Sequence, residues 1–554
     1  MTDRFARPKG SSDAPCELTK YCGGSWDGII DNLDYIQDLG FTAILISPVV
    51  ENIPNDTKWG EAYHGYWPQN MYSLNEHFGT ADELHKLTNE LHQRDMYFMV
   101  DVIINDMAQA IHGSMEDEPQ PEIEWQKLIP FNEEKYYHPY CKITDWSDPE
   151  MSKNCWFAVD AVALPDLKTE DDTVTSMIQE WIKELVGNYS IDGLRIDAAK
   201  HVNEDYLVNF AEASGVFTMG EIYTRSTEAA CKYEGLVSGL FNYPLRYPMI
   251  DAFTAGDMPG LADKVQQVQK DCENFMQLGT FLENHDLTRF ASMVEDLTLA
   301  KNAMAFNILS DGIPIVYQGQ EQHMTGNHTP YNRGALWTTG YNTDGSLYTL
   351  TATLNKLRNH AISIDSGYVS SHSQELYVDG STYVTRKGTD GKQIVSVFSN
   401  QGSVGGKYQL AVHGGFASGT QAMEVLGCSE YQADDAGDLT VEMDSGEAMV
   451  FFPVNQLNGS GLCGFESKKS KSSSSKSGGT TADNSDSGET TADNSGSNES
   501  KPGSSSSSES KSGNSSSSNG SNGNGNKESS TVYVSVPLHM LFLGLVLAVV
   551  NLLY

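Results

Sequence analysis

Three short stretches carry acids where apolar runs end. In GLRIDAAKH, residues 193–201, Arg195 and Asp197 stand two apart beside Leu194 and Ile196, and Lys200 and His201 follow. GEIY, residues 220–223, places Glu221 directly after a glycine, and FLENHD, residues 281–286, closes on His285 and Asp286. In an extended strand, residues two apart share a face. Arg195 and Asp197 therefore point to one side, where a guanidinium keeps a carboxylate ionised. Alone, the pair reads as an ordinary rim salt bridge. Three acids converging from separate strand ends displace that reading, because grouped carboxylates are the raw material of nucleophilic and acid–base catalysis.

Such convergence needs a scaffold. Seven apolar runs recur, at residues 41–49, 96–106, 190–199, 216–223, 239–244, 279–286 and 312–321. Continuous runs of this kind read as parallel strands covered on both faces. Helical patterns lie between them, as in ADELHKLTNELHQR (81–94) and DTVTSMIQEWIKELVGN (172–188). The alternation predicts an α/β chain built on a (β/α)8 TIM barrel spanning residues 1–369, with its chemistry at the C-terminal rim of the strands. Seven runs are one short of eight. An irregular inserted domain at 107–170 interrupts the pattern, and residues 370–463 switch to short alternating runs such as STYVTRKG and QIVSVFSN, a C-terminal all-β sandwich domain. Residues 464–531 are dominated by Ser, Gly, Asn and Lys and read as a disordered linker.

Residues 532–554, VYVSVPLHMLFLGLVLAVVNLLY, contain no charge. With the small-residue run NGNGN (522–526) and a polar spacer, they form the pattern of a GPI-attachment signal, the attachment point lying within Gly523–Asn526. A membrane-spanning helix is the competing reading; the lack of a basic flank after the tail favours the anchor. Anchoring requires entry to the secretory pathway, yet MTDRFARPKG is not a signal peptide, so a leader ahead of Met1 is expected.

Composition agrees with an extracellular sugar-binding protein. The net charge of −38 excludes a nucleic-acid partner by repulsion, and aromatics at 10% suit neutral ligands. The eight cysteines, at 16, 22, 141, 155, 231, 272, 428 and 463, allow a fully paired framework, and none shows the C-x-x-C spacing of a zinc site. Sequons stand at Asn55, Asn188, Asn327 and Asn458.

From Met1 to about Cys463 the sequence resembles the filamentous-fungal α-amylases of glycoside hydrolase family 13. The resemblance rests on DVIIND, GLRIDAAKH, GEIY and FLENHD in order, and on AYHGYWPQNMYSLNEHFGTADEL (62–84), LPDL (164–167) and DGIPIVYQGQEQ (311–322). It implies Asp197 as nucleophile, Glu221 as acid/base and Asp286 as the carboxylate that binds the reacting sugar. It implies sugar contacts from Tyr66, Trp67, His64, His285, Arg195 and Arg333, a stacking role for Trp59, and Lys200 and His201 on the acceptor side. It implies Ca2+ held by Asn105, Asp166 and the carbonyls of His201 and Lys153, the last replacing a glutamate whose loss brings an ammonium close to the cation. It also implies the pairs Cys16–Cys22, Cys141–Cys155, Cys231–Cys272 and Cys428–Cys463. Relatives begin with a strand just before TDRF, which explains the count of seven; a barrel without that stave exposes its edges and is expected to be unstable.

The chain departs from the family at two donor-sugar contacts, with Asp106 where the first motif ends in histidine and Thr329 where an aspartate precedes Asn-Arg. Tyr223, two residues after Glu221, stands where sugar-transferring relatives carry an aromatic ring. These features point to a monomeric enzyme on α-1,4-glucans or maltooligosaccharides with strong 4-α-glucanotransferase activity, tethered by a GPI anchor to plasma membrane or wall. A plain hydrolytic α-amylase and an inactive glucan-binding protein are the alternatives.

Overall fold

The apolar runs fold as seven parallel strands of one curled sheet: β1 Ala43–Ile46, β2 Tyr97–Val102, β3 Gly193–Ile196, β4 Phe217–Gly220, β5 Gly239–Phe241, β6 Leu278–Thr280 and β7 Ile313–Pro314. In the computed structural model, which describes residues 1–111, 121–159 and 161–467, the strands lie side by side in chain order, with β1 and β7 at the two edges. This is the expected (β/α)8-type wall with seven staves. All four residues of β3 are buried, as the unbroken apolar runs required. Between the strands a cavity of about 650 Å³ opens, its walls including Ile44, Ile46, Met99, Phe217, Met219 and Phe281.

The helices between strands form where the spacing places them. Thr80 and Glu83 make a capping box ahead of Ala81–Gln93, satisfying donors that the first turn leaves unpaired. Asp171 caps Asp172–Tyr189, and that helix buries Val174, Ile178, Trp181, Ile182 and Leu185, one face at helical spacing. The insert is less irregular than its sequence suggests: Gln109–Ala110, Val162–Leu164 and Phe157–Val159 pair as a small antiparallel sheet. The four disulfides join the pairs that the resemblance implied.

The C-terminal domain holds eight strands: β8 Gln374–Val378, β9 Thr382–Lys387, β10 Ile394–Ser399, β11 Tyr408–Val412, β12 Gln421–Glu424, β13 Ser429–Gln432, β14 Leu439–Met443 and β15 Met449–Pro453. They form a six-stranded sheet, β8-β9-β10-β15-β12-β13, faced by the β11–β14 pair over Val384, Val395, Val397, Leu410 and Val441. Residues 468–554, which hold all but the start of the linker and the whole apolar tail, lie outside the described residues.

A buried ionic joint ties this domain to the barrel. Asp311, just before β7, accepts hydrogen bonds from the Ser373 backbone N–H (2.9 Å) and hydroxyl (2.9 Å), and pairs with the Lys387 ammonium of β9. The Lys387 side chain is only 3% exposed, so removing it strands a buried carboxylate. Lys387→Met is expected to destabilise the chain by about 3 kcal/mol in urea unfolding, with activity per folded molecule unchanged; equal stability would show that the joint carries no load.

Candidate active site

Strand register builds the centre. Arg195 on β3 stands opposite Asp101 on β2, so both side chains share the inner face. The Arg195 Nη1 donates to both Asp101 oxygens (2.9 and 2.8 Å) and to Asp197 Oδ1 at 2.6 Å. Its Nη2 lies 2.8 Å from Glu221 Oε2, the residue directly after β4. One guanidinium, 4% exposed, thus gathers three carboxylates. Ala198 adopts a left-handed conformation (φ +46°) immediately after Asp197, and its N–H donates to Glu221 Oε2 at 3.2 Å. Such a backbone costs a non-glycine residue roughly 1–3 kcal/mol, and here it turns the N–H that follows Asp197 toward Glu221.

The electrostatics follow from this crowding. Burial raises the Asp197 carboxyl well above the ordinary range, Arg195 opposes it, and Glu221, Asp101 and Asp286 add to it. Crowded carboxyls oppose one another's ionisation, and the Arg195 guanidinium is the group that offsets this at Asp197. The Tyr243 hydroxyl donates to Glu221 Oε1 at 2.7 Å. Asp286 differs: burial pushes it up, but His285, Arg333 and Arg195 together hold it well below the usual carboxylate range. It contacts His285 Nε2 at 3.1 Å and Arg333 Nη2 at 3.0 Å. The side chains of Asp197 (23% exposed) and Asp286 (21%) remain open to the cleft, which a substrate must reach. His64 is buried and its pKa falls well below the ordinary imidazole value. Its Nδ1 accepts the Tyr66 backbone N–H at 2.9 Å, so the neutral ring carries its proton on Nε2 and is a hydrogen-bond donor there.

The family model for the alpha amylase catalytic domain matches residues 1–403, and that for alpha-amylase domain C matches residues 375–471. The chain belongs to the alpha-amylase family. It is 46% identical over 467 residues to Alpha-amylase 1 of Schwanniomyces occidentalis, covering 84% of this chain and 90% of that protein. It is 45% identical over 458 residues to the Alpha-amylase of Saccharomycopsis fibuligera, covering 82% and 90%. The solved alpha-amylase from Malbranchea cinnamomea superposes with a TM-score of 0.79 at 45% identity, over 84% of this chain and 97% of that one. The protein is therefore an enzyme of glycoside hydrolase family 13 acting on α-glucans.

Within this alpha-amylase-family cleft, Tyr66 is half-buried, donates its hydroxyl to Asp101 Oδ2 (2.6 Å) and lies nearly parallel to the His285 ring, 5.1 Å away. Arg333 donates through Nε to the His285 carbonyl at 2.9 Å. Three sequence expectations need correction. Trp67 is 3% exposed and packed among Ile53, Ala62, Ala108, Val162 and Leu164, so its ring has no face for a sugar. The imidazole of His201 faces the insert rather than the acceptor side: it bonds the Ser152 carbonyl at 2.9 Å and packs on Phe157. Asp286 sits in a loop beyond β6 rather than at the strand end, where Asn284 Oδ1 accepts its backbone N–H at 2.9 Å. Lys200 reaches the Tyr223 carbonyl at 3.5 Å. The Tyr223 hydroxyl meets that of Tyr247 at 2.9 Å. Trp59 is half-buried on the hairpin Val50–Leu74, with the Lys58 ammonium 5.3 Å from its ring centre.

Sequence reasoning missed Asp101, Tyr243, Tyr63 and Arg4. Asp101 was legible as an acid on the inner face of the DVIIND strand. Arg4 was not: it stacks on Tyr63 at 3.9 Å and donates to the Arg333 carbonyl at 3.0 Å, across nearly the whole barrel sequence.

At the barrel–insert junction, Asn105 (1% exposed) and Asp166 (1%) meet, and Asn105 Oδ1 has no protein donor. Asp166 Oδ2 contacts His138 Nδ1 at 2.7 Å. The Lys153 ammonium is turned to Glu204, 3.7 Å away on helix Glu204–Ser214, which counters the charge expected to oppose a cation here.

His201 gives this junction a pH dependence. Burial, with Lys200 adding, lowers its pKa to about 3, whereas an unfolded histidine titrates near about 6.5. Between those values the unfolded chain binds a proton that the folded chain refuses, so stability falls as pH drops through this window. His201→Gln is expected to flatten the slope of unfolding free energy between roughly pH 4 and 6 by about 1.4 kcal/mol per pH unit. Equal slopes would show that the buried ring ionises in the folded state.

Proposed function

We propose that this enzyme cleaves α-1,4-glucosidic bonds with retention, through a covalent glycosyl-enzyme on Asp197, and that it transfers glucan chains strongly. The supporting observation is the placement of Asp197 and Glu221 on one guanidinium. A nucleophile and acid that share a fork suit the separation of about 5–5.5 Å used by retaining glycosidases. An Asp197 oxygen attacks the anomeric carbon while the bond to the leaving sugar breaks, and the proton of Glu221 passes to the departing oxygen. Glu221, now a carboxylate, takes a proton from the incoming hydroxyl, whose oxygen displaces Asp197. The firmly ionised Asp286 and the Nε2–H of neutral His64 suit hydroxyls of the same sugar.

Water and a sugar hydroxyl follow the same second step, so acceptor binding sets the product. Tyr223, braced by Tyr247 and edge-on to Tyr243 at 4.8 Å, supplies a ring just past the acid/base. Asp106 and Thr329 alter two donor-side contacts. Calcium suits the oxygen donors Asn105 and Asp166 with the carbonyls of Lys153 and His201; bound there it would brace insert against barrel, and no reaction step passes through it. Four disulfides and exposed sequon asparagines agree with an extracellular enzyme. A GPI tether, read from residues outside the described part, would place it on wall α-glucan.

Maltoheptaose separates the readings. Transfer yields chains longer and shorter than the substrate with little new reducing end, and Tyr223→Leu is expected to lower the transfer-to-hydrolysis ratio roughly tenfold. Short products alone, with reducing ends rising to match, would establish a hydrolytic α-amylase. No change in the substrate would leave a binding protein.

A further inference from the structure

We propose that Asp106 is a positioning residue for calcium: it orients the Asn105 side chain toward the cation. The inference rests on the calcium reading above. A side-chain amide can present either its oxygen or its nitrogen, and its neighbour decides which. Asn105 Nδ2 donates to Asp106 Oδ2 at 2.8 Å. By accepting that hydrogen bond, the Asp106 oxygen draws the NH2 end of the amide to itself and turns the oxygen end away. That oxygen, Asn105 Oδ1, is the buried atom left without a donor. Asp106 Oδ1 is a second such atom, in a residue only 6% exposed.

The two halves of the junction are close in backbone as well. Asp106 and Asp166 form an isolated antiparallel bridge, and the Leu167 N–H donates to the Asn105 carbonyl at 2.9 Å. Asp166 Oδ2 is committed to His138, whose Nε2 continues to Glu170 at 3.0 Å. Asn105 and Asp106 thus each leave one buried oxygen with unfilled acceptor capacity at an acidic junction, the environment a hard divalent cation satisfies. Groups that hold a metal ligand in place set affinity nearly as strongly as the ligand does.

The test is calcium titration of the purified, calcium-stripped full chain by calorimetry, with the calcium-dependent rise in melting temperature as second readout. Asp106→Ala removes the hydrogen bond, and is expected to raise the calcium Kd at least about tenfold. Asp106→Asn can keep the hydrogen bond and is expected to weaken binding less. Asp106→Ala binding calcium as tightly as the parent would overturn the positioning role while leaving the calcium site standing. Should Asp106→Ala not fold, the near-isosteric Asp106→Leu, which also removes the hydrogen bond, decides: an unchanged Kd overturns the positioning role. A parent chain that neither binds calcium nor gains thermal stability from it would overturn the calcium reading itself.

Discussion

The site depends on one buried cation. Arg195 is almost wholly withdrawn from water and survives there because three carboxylates surround it, one from the neighbouring strand and two from strand ends. Burying a charge is costly unless partners replace the lost water. Here the partners outnumber the cation, so the group carries excess negative charge. That excess helps raise the Asp197 carboxyl, and negative charge of this kind suits the positive character that a sugar ring gains as its glycosidic bond breaks. Structural glue and catalytic field are the same ion cluster.

A second buried network holds the other side of the cleft. Arg4 lies on the Tyr63 ring and grips the Arg333 carbonyl; Arg333 in turn reaches Asp286 and the His285 carbonyl. Asp197 and Glu221 therefore differ from Asp286 in their environments. The pair shares one guanidinium, whereas Asp286 has an arginine and a histidine largely to itself, which explains its strongly acidic character.

Much of this was legible in the sequence, for a physical reason. A strand buried on both faces must be apolar throughout, so the seven runs announced the seven staves, and an Arg–x–Asp pattern at the end of one run fixed which side chains share a face. The misreadings came from long-range packing. Trp67 and His201 sit beside polar motif residues, and only the folded insert, closing over them with Val162, Leu164 and Phe157, decides that both rings are core. Asp286 looked like a strand-end residue because the apolar run continues past Thr280; the bends that follow are set by Asn284. Asp101 drew no reading although its face could be read, because its partner, Arg195, stands opposite it only once the strands align. The insert's small sheet gave no alternating pattern, its strands being two or three residues long.

The central claim is that Asp197 attacks the sugar while Glu221, on the same guanidinium, handles protons. It is tested most directly by treating Glu221→Gln with α-maltosyl fluoride, whose leaving group needs no acid, and mapping the adduct by peptide mass spectrometry. The account predicts a maltosyl ester that accumulates on Asp197, since the base for its release is gone. An adduct on another residue, or fluoride release with inverted product and no adduct at all, would contradict it.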